Sequence, residues 1–133
     1  MKDRCLLFVC GTLLKGFSNH HYMQKTSIHF LGKGSVEGEL YDLGEYPGAV
    51  LSTTSLRIQG ELYLLTDPKE LEPLDVLEEF DPENPETSLY VRRMVTVRLE
   101  SGADIPAWMY CLPSKPTDAR LIPNGDYANY SRS

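Results

Sequence analysis

The chain has 133 residues, 41% apolar and 24% charged, with a net charge of −6. That length suits one domain, residues 1–133, around one core, and the acidic balance argues against nucleic acid or an anionic membrane as partner, since both require clustered Lys and Arg. Cys5, Cys10 and Cys111 form neither an even set nor a CxxC pair, which argues against a disulfide framework or a zinc knuckle and favours small buried hydrophobes in a reducing, cytoplasmic setting.

The opening MKDRCLLFVCG has an apolar stretch of about six residues, below the ~7–15 of a signal core, and reads as a first buried strand over 4–9. Gly11-Thr12-Leu13-Leu14-Lys15-Gly16 follows as a loop bounded by two glycines. Ser18 or Asn19 can then cap a short helix over 20–25. Two strand pieces, 27–31 and 35–43, are interrupted by Gly32 and Gly34, and Tyr46-Pro47-Gly48 has the chemistry of a tight turn. Residues 49–52 and 55–65 read as strands. Asp67-Pro68-Lys69-Glu70 combines an Asp cap, a Pro at the first helical position and a Glu three residues after the cap. Pro73 cannot donate to a helix ladder, so that first turn can be separate from a main helix over 73–80. Residues 88–99 alternate, with Leu89, Val91, Val95, Val97 and Leu99 on one face, and Ser101-Gly102 suits a two-residue hairpin turn into 104–112. From Pro113 the chain is polar without a clear period, and Leu121, Ile122, Tyr127 and Tyr130 suggest a tail packed over the body.

Strands outnumber helices and do not alternate regularly with them, which argues against a doubly wound fold. The expected class is α+β: a small mixed β-barrel of about six to seven strands with two short helices packed against it.

Chemistry is suggested at two places. At a hundred degrees per residue, Leu71, Leu74 and Leu77 share a stripe, and Glu78 falls at its edge, while Glu72 and Glu79 point away. A carboxyl turned toward a core loses hydration in its charged form, which raises its pKa toward the range useful for proton transfer. A Glu bonded structurally to a neighbouring strand is the alternative. Gly11-Thr12-Leu13 follows a buried strand directly, where N–H groups can converge on a carboxylate or phosphate, although a plain turn explains it equally. No residue follows Gly16 in the manner of a P-loop, since Phe17 stands there. His20 and His21 are adjacent and His29 stands alone, so no helical pair of metal ligands exists.

Taken together, Phe8-Val9-Cys10-Gly11-Thr12-Leu13-Leu14-Lys15-Gly16 with Asn19-His20, then the run from Gly38 to Ala49, Gly60-Glu61-Leu62-Tyr63, Leu74-Asp75-Val76-Leu77-Glu78, the run from Ser88 to Arg93, Ala107-Trp108-Met109-Tyr110 and Gly125-Asp126-Tyr127 resemble, in order, the gamma-glutamylcyclotransferase-like family, in its small bacterial-type form similar to gamma-glutamylamine cyclotransferase. Two positions depart from its pattern: Cys10 stands where a Tyr usually precedes Gly-Thr-Leu, and Glu79 where a Gly commonly follows the Glu. The resemblance implies a cofactor- and metal-independent enzyme that converts a γ-glutamyl amide or peptide to 5-oxoproline and a free amine. It makes Glu78 the catalytic acid–base and places substrate against Cys10, Gly11, Thr12, Leu13, Tyr90 and Tyr127. Tyr90 would hydrogen-bond the substrate or Glu78. A non-catalytic, metabolite-binding member of the same fold, or an enzyme that removes a γ-glutamyl protecting group from a biosynthetic intermediate, are the alternatives.

Overall fold

Cys5–Val9 contains no polar side chain, and the structure, a computed structural model describing residues 5–132, uses it as a strand (β1) buried nearly throughout. The other strands are β2 (Ile28–Glu37), β3 (Glu39–Asp42), β4 (Pro47–Val50), β5 (Arg57–Leu65), β6 (Val91–Leu99), β7 (Asp104–Cys111) and β8 (Arg120–Leu121), with helices α1 (Leu71–Leu77) and α2 (Tyr127–Arg132). A closed barrel runs β1-β5-β2-β6-β7, and a three-stranded sheet runs β4-β3-β8. The expected mixed barrel is therefore present; it closes with five strands, and the shorter three form the second sheet. Its pairings are antiparallel except the seam, where β1 lies parallel to β7 with Leu7 opposite Trp108 and Phe8 opposite Met109. Phe8 also faces Leu62 across β5, and all three are at most 1% exposed. The barrel closes through two short contacts, the β1–β7 seam and the β2–β6 pairing of Gly34 with Leu99 and Ser35 with Arg98.

Several local expectations change. The glycines near residue 33 do not split β2: β5 pairs with it from Ile28 to Glu37, and a bulge between Phe30 and Gly32 absorbs one residue. The β3–β4 turn lies ahead of Pro47, with Leu43 N–H donating to Tyr46 O (3.0 Å) and Gly44 N–H to Asp42 Oδ1 (2.8 Å). Pro47 is then the first residue of an edge strand, a place that needs no ladder donor. The expected helix over 20–25 is a single 3-10 turn, His20–Met23, because the Asn19 side chain binds Thr12 Oγ1 (3.0 Å) instead of capping it. Leu99 N–H bonds Ala103 O (2.9 Å), so the β6–β7 loop has three residues rather than two, with Gly102 at φ +96°. The tail does pack: Ile122 is 1% exposed, Tyr127 is buried, and Tyr130 O–H donates to Asp42 Oδ2 (2.7 Å), whereas Leu121 is exposed. It supplies α2, which the absence of a clear period concealed. No helix among the described residues is long and apolar enough to cross a membrane.

One close approach matters for the site. A Cβ at Gly60 would overlap the carbonyl oxygen of Val9 and come within 2.6 Å of the Phe8 ring, at the end of β1 from which the Gly11–Gly16 loop departs. Gly60→Ala is expected to lower stability by roughly 2 kcal/mol, measured as a fall in the urea midpoint at unchanged m-value.

Candidate active site

Asp67 accepts the Lys69 N–H (3.0 Å) and starts a 3-10 turn, Pro68–Glu70, and α1 follows with Pro73 in its first turn, where no N–H is missed. Leu71 and Leu74 are buried. The helix stops earlier than its apolar period suggests. Glu78 is its last, half-turned residue, and Glu79 takes a left-handed φ of 52°. Glu79 N–H then bonds Val76 O (3.2 Å) and Phe80 N–H bonds Asp75 O (2.9 Å), the paired reverse bonds that close a helix C-terminus. Glycine fits that position without strain, while a Glu there is disfavoured by about 1 kcal/mol. Glu79→Gly is accordingly expected to raise stability by that amount, readable by thermal or urea denaturation.

This termination sets the two carboxylates apart. Glu79 is exposed, whereas Glu78 enters a cavity of about 300 Å³. Burial of the Glu78 carboxyl, with no cation beside it to offset the loss of hydration, raises its pKa from 4.5 to about 7.

Three other elements enclose the cavity: the loop after β1, the β3–β4 turn, and Tyr90 and Tyr110 from around β6 and β7. Cys10, Gly11, Thr12, Leu13 and Tyr90 line it beside Glu78. A Cβ on Gly11 would lie 2.7 Å from Pro47 Cγ, so glycine lets the loop and the β3–β4 turn meet. The loop's bonds consume its carbonyls: Leu14 N–H donates to Gly11 O (3.0 Å), Asn19 N–H to Thr12 O (2.9 Å) and His20 Nδ1 to Leu13 O (2.9 Å). None of these uses the N–H groups of Gly11, Thr12 or Leu13. Glu61, from the Gly60-Glu61-Leu62-Tyr63 run, anchors the loop's far end by accepting Lys15 N–H (3.1 Å) and Tyr63 O–H (2.8 Å) on one oxygen.

Cys10 is half-buried, and burial first, then Cys111 and Glu78, push its thiol well above the ordinary range, so it stands neutral and is no thiolate nucleophile. Tyr90 lines the cavity as expected of a site residue, and its O–H donates to Pro47 O (2.6 Å) rather than to Glu78, tying the start of β6 to β4 while its oxygen keeps acceptor capacity. Tyr127 is buried with its ring against Phe17 (5.3 Å between centroids) and is not among the residues lining the cavity, but it lies near enough to Tyr90 to help push that phenol's pKa up.

The residue overlooked by periodicity is Asp75. It is 8% exposed, and its carboxylate accepts Arg92 Nε (2.7 Å), Arg92 Nη2 (3.2 Å) and Tyr110 O–H (2.6 Å). The Arg92 guanidinium is also stacked near Trp108 (4.8 Å) and Phe80 (5.3 Å). This cluster fastens the C-terminal half of α1 to β6 and β7. The available signal was the three-residue spacing from Asp75 to Glu78, which puts both on one side of the helix.

The sequence matches the family described as "Gamma-glutamyl cyclotransferase, AIG2-like" over residues 7–129. It is 36% identical over 126 residues, 93% of this chain and 96% of the other, to a Methanocaldococcus jannaschii protein provisionally named a gamma-glutamylcyclotransferase. A Niallia circulans protein named gamma-L-glutamyl-butirosin B gamma-glutamyl cyclotransferase is 35% identical over 105 residues, 78% of this chain and 64% of its own length. The fold also superposes on the crystal structure of a mouse AIG2-like protein with a TM-score of 0.71 at 24% identity, covering 87% of this chain and 82% of that one. With the match running through nearly all of the barrel and the cavity, this chain belongs to the AIG2-like gamma-glutamyl cyclotransferase family.

Proposed function

We propose that the protein is a cyclotransferase that converts a γ-glutamyl amide or peptide to 5-oxoproline and a free amine, with Glu78 as general acid–base. The observation that carries this reading is the Glu78 carboxyl, brought into the cavity with a pKa of about 7. Near neutral pH such a group both accepts and returns a proton.

The substrate supplies its own nucleophile. Its α-amino nitrogen adds to its γ-carbonyl carbon, closing a five-membered ring, and the bond from that carbon to the leaving nitrogen breaks. Starting from the α-ammonium, the attacking nitrogen loses two protons and the departing one gains two, leaving as an ammonium; Glu78 relays them one at a time, so the protein ends unchanged. Holding both reacting atoms in one folded molecule is worth an effective molarity on the order of 10⁵ M or more. The N–H groups of Gly11, Thr12 and Leu13 would hold the substrate's α-carboxylate or its γ-carbonyl oxygen, where negative charge grows as the ring closes. No metal or cofactor is required by these steps, and a reducing, cytoplasmic setting suits the three free cysteines.

The exposed residues Glu45 and Glu79 lie along the cavity, which leaves room for a large amine on the solvent side. Removal of a γ-glutamyl group from a bulky intermediate, the reaction in the name of the Niallia relative, is the same chemistry with a larger leaving group.

The test is incubation with γ-glutamyl amines, γ-glutamyl dipeptides and glutathione, with 5-oxoproline as the product measured. Its pH dependence has a definite sign. Below about 7 Glu78 is protonated and cannot accept, so kcat/KM is expected to fall about tenfold per pH unit on the acid side of that value. Absence of 5-oxoproline from every substrate would defeat the reading.

A further inference from the structure

The directions of the hydrogen bonds around the cavity specify what its deep side can bind. A phenol has one proton to donate and lone pairs to accept with. Three phenols line the cavity; Tyr46 is exposed, and the two buried ones have committed their protons to protein acceptors, that of Tyr90 to Pro47 O at 2.6 Å and that of Tyr110 to Asp75 Oδ1 at 2.6 Å. Asp75 is itself held by the two N–H bonds from Arg92, so the acceptor that fixes the Tyr110 proton cannot readily turn away. Any group of a bound molecule that reaches either phenol oxygen therefore meets lone pairs. Burial and the nearby carboxylates keep both phenols far above their ordinary pKa, so neither becomes a phenolate. The buried carboxyl on this side is Glu78, and among the described residues no Lys, Arg or His lines the cavity. On the other side, the carbonyls of Gly11, Thr12 and Leu13 each already accept a hydrogen bond, and the N–H groups of the same residues stand outside those bonds. The loop thus offers donors, while the side around Glu78 offers acceptors.

We infer that Tyr110, with Tyr90 and Glu78, forms an acceptor cage for the substrate's α-ammonium group, and that Asp75 is a positioning residue that keeps the Tyr110 oxygen an acceptor. An ammonium group carries three N–H donors and no lone pair, which matches three acceptors and rejects a hydroxyl-poor or anionic group in the same place. The same cage orients the nitrogen after Glu78 has taken one proton: two N–H groups remain on the phenols, and the lone pair is left on the Glu78 side, which is where the γ-carbonyl carbon must lie. This assignment rests on the cyclotransferase reading and adds to it a residue, Tyr110, and a requirement, a free primary α-amine.

Three ligands with the same butylamide separate the possibilities: the γ-glutamyl amide, the 4-aminobutanoyl amide, which keeps the amine but lacks the carboxylate, and the glutaryl amide, which keeps the carboxylate but lacks the amine. The first two can cyclise, to 5-oxoproline and 2-pyrrolidinone respectively, so kcat/KM is read for them; the third cannot, and its inhibition constant is read. Tyr110→Phe removes one acceptor and leaves the Asp75–Arg92 pair intact. It is expected to lower kcat/KM for both amine-bearing ligands about tenfold or more, through KM, with the glutaryl amide's inhibition constant unchanged within about twofold. Tyr90→Phe is expected to show the same selectivity and serves if Tyr110→Phe does not fold. A parallel loss for amine-bearing and amine-free ligands would mean that the phenol is only structural, and no loss for either would mean that it does not touch the amine; each result overturns the cage while wild-type turnover leaves the reaction standing. If the wild type forms no 5-oxoproline, the reaction itself has failed. Calorimetry with the same three uncleaved ligands then decides the cage separately, amine-dependent binding lost in Tyr110→Phe supporting it and its absence overturning it.

Discussion

Glu78→Gln is expected to lose between about a hundredfold and ten-thousandfold in kcat, the usual share of a general acid–base, and at the same time to make the protein more stable at pH 8 by about 3 kcal/mol. The two effects share one cause. The folded state holds the Glu78 proton up to about pH 7, whereas the unfolded chain releases it near 4.5. Between those values the native state binds more protons, so stability falls as pH rises, and above about 7 the full cost of an ionised buried carboxyl is present. Glutamine is neutral at every pH and escapes that cost while keeping the shape. The gain should therefore be complete at pH 8 and absent at pH 4, read from urea unfolding at both. A variant no more stable than wild type at pH 8 would show that the carboxyl is not deprived of solvent as the geometry indicates.

The largest loss of stability is expected at Asp75. Truncation to Ala leaves the Arg92 guanidinium, still packed near Trp108 and Phe80, without its counter-charge, and leaves the Tyr110 hydroxyl without its acceptor. Breaking one partner of a buried pair costs about 3–5 kcal/mol, a large part of the ~5–15 kcal/mol that holds a domain together. Glu72→Ala, at an exposed site on the same helix, is expected to stay within about 0.5 kcal/mol of wild type. Unfolding midpoints of the two variants compared side by side decide the matter; similar values would mean that the ion pair is solvated and contributes little.

How far the sequence could be read followed from how local each determinant is. The strands over 5–9, 57–65, 91–99 and 104–111 announced themselves by apolar runs or alternation, and the helix around Leu74 by period and cap chemistry. The contrast between Glu78 and Glu79 came from helix phase alone; both line the cavity, but the first is buried there and the second is exposed. What stayed hidden depended on partners distant in sequence. Gly32 and Gly34 read as interruptions because β5, which carries β2 across them, is invisible to a local window. The Asp75–Arg92–Tyr110 cluster joins one helix to two strands, and no spacing rule connects three such positions. Tyr127 was assigned to the site by its place in a motif, and its packing on Phe17, behind Tyr90, depends on how the tail folds back, which no local window shows. The early helix stop at Glu79 was obscured because a Glu occupies a backbone conformation that normally advertises itself with Gly.

The parallel seam between β1 and β7 carries a consequence for biogenesis. It joins Phe8 to Met109, partners about a hundred residues apart, and the cavity straddles it: Cys10 follows one strand, Tyr110 belongs to the other, and the α1 terminus bearing Glu78 is fastened beside them. A nascent chain can form the β2–β5 and β1–β5 pairings once β5 has emerged, but it cannot enclose Glu78 until β7 has emerged and docked. Long-range closure of this kind is slow relative to local pairing. Under the proposed reading, catalytic competence is therefore expected to arise as a late, all-at-once event of folding, so that unfinished or nicked chains would carry the candidate residues without an assembled cavity.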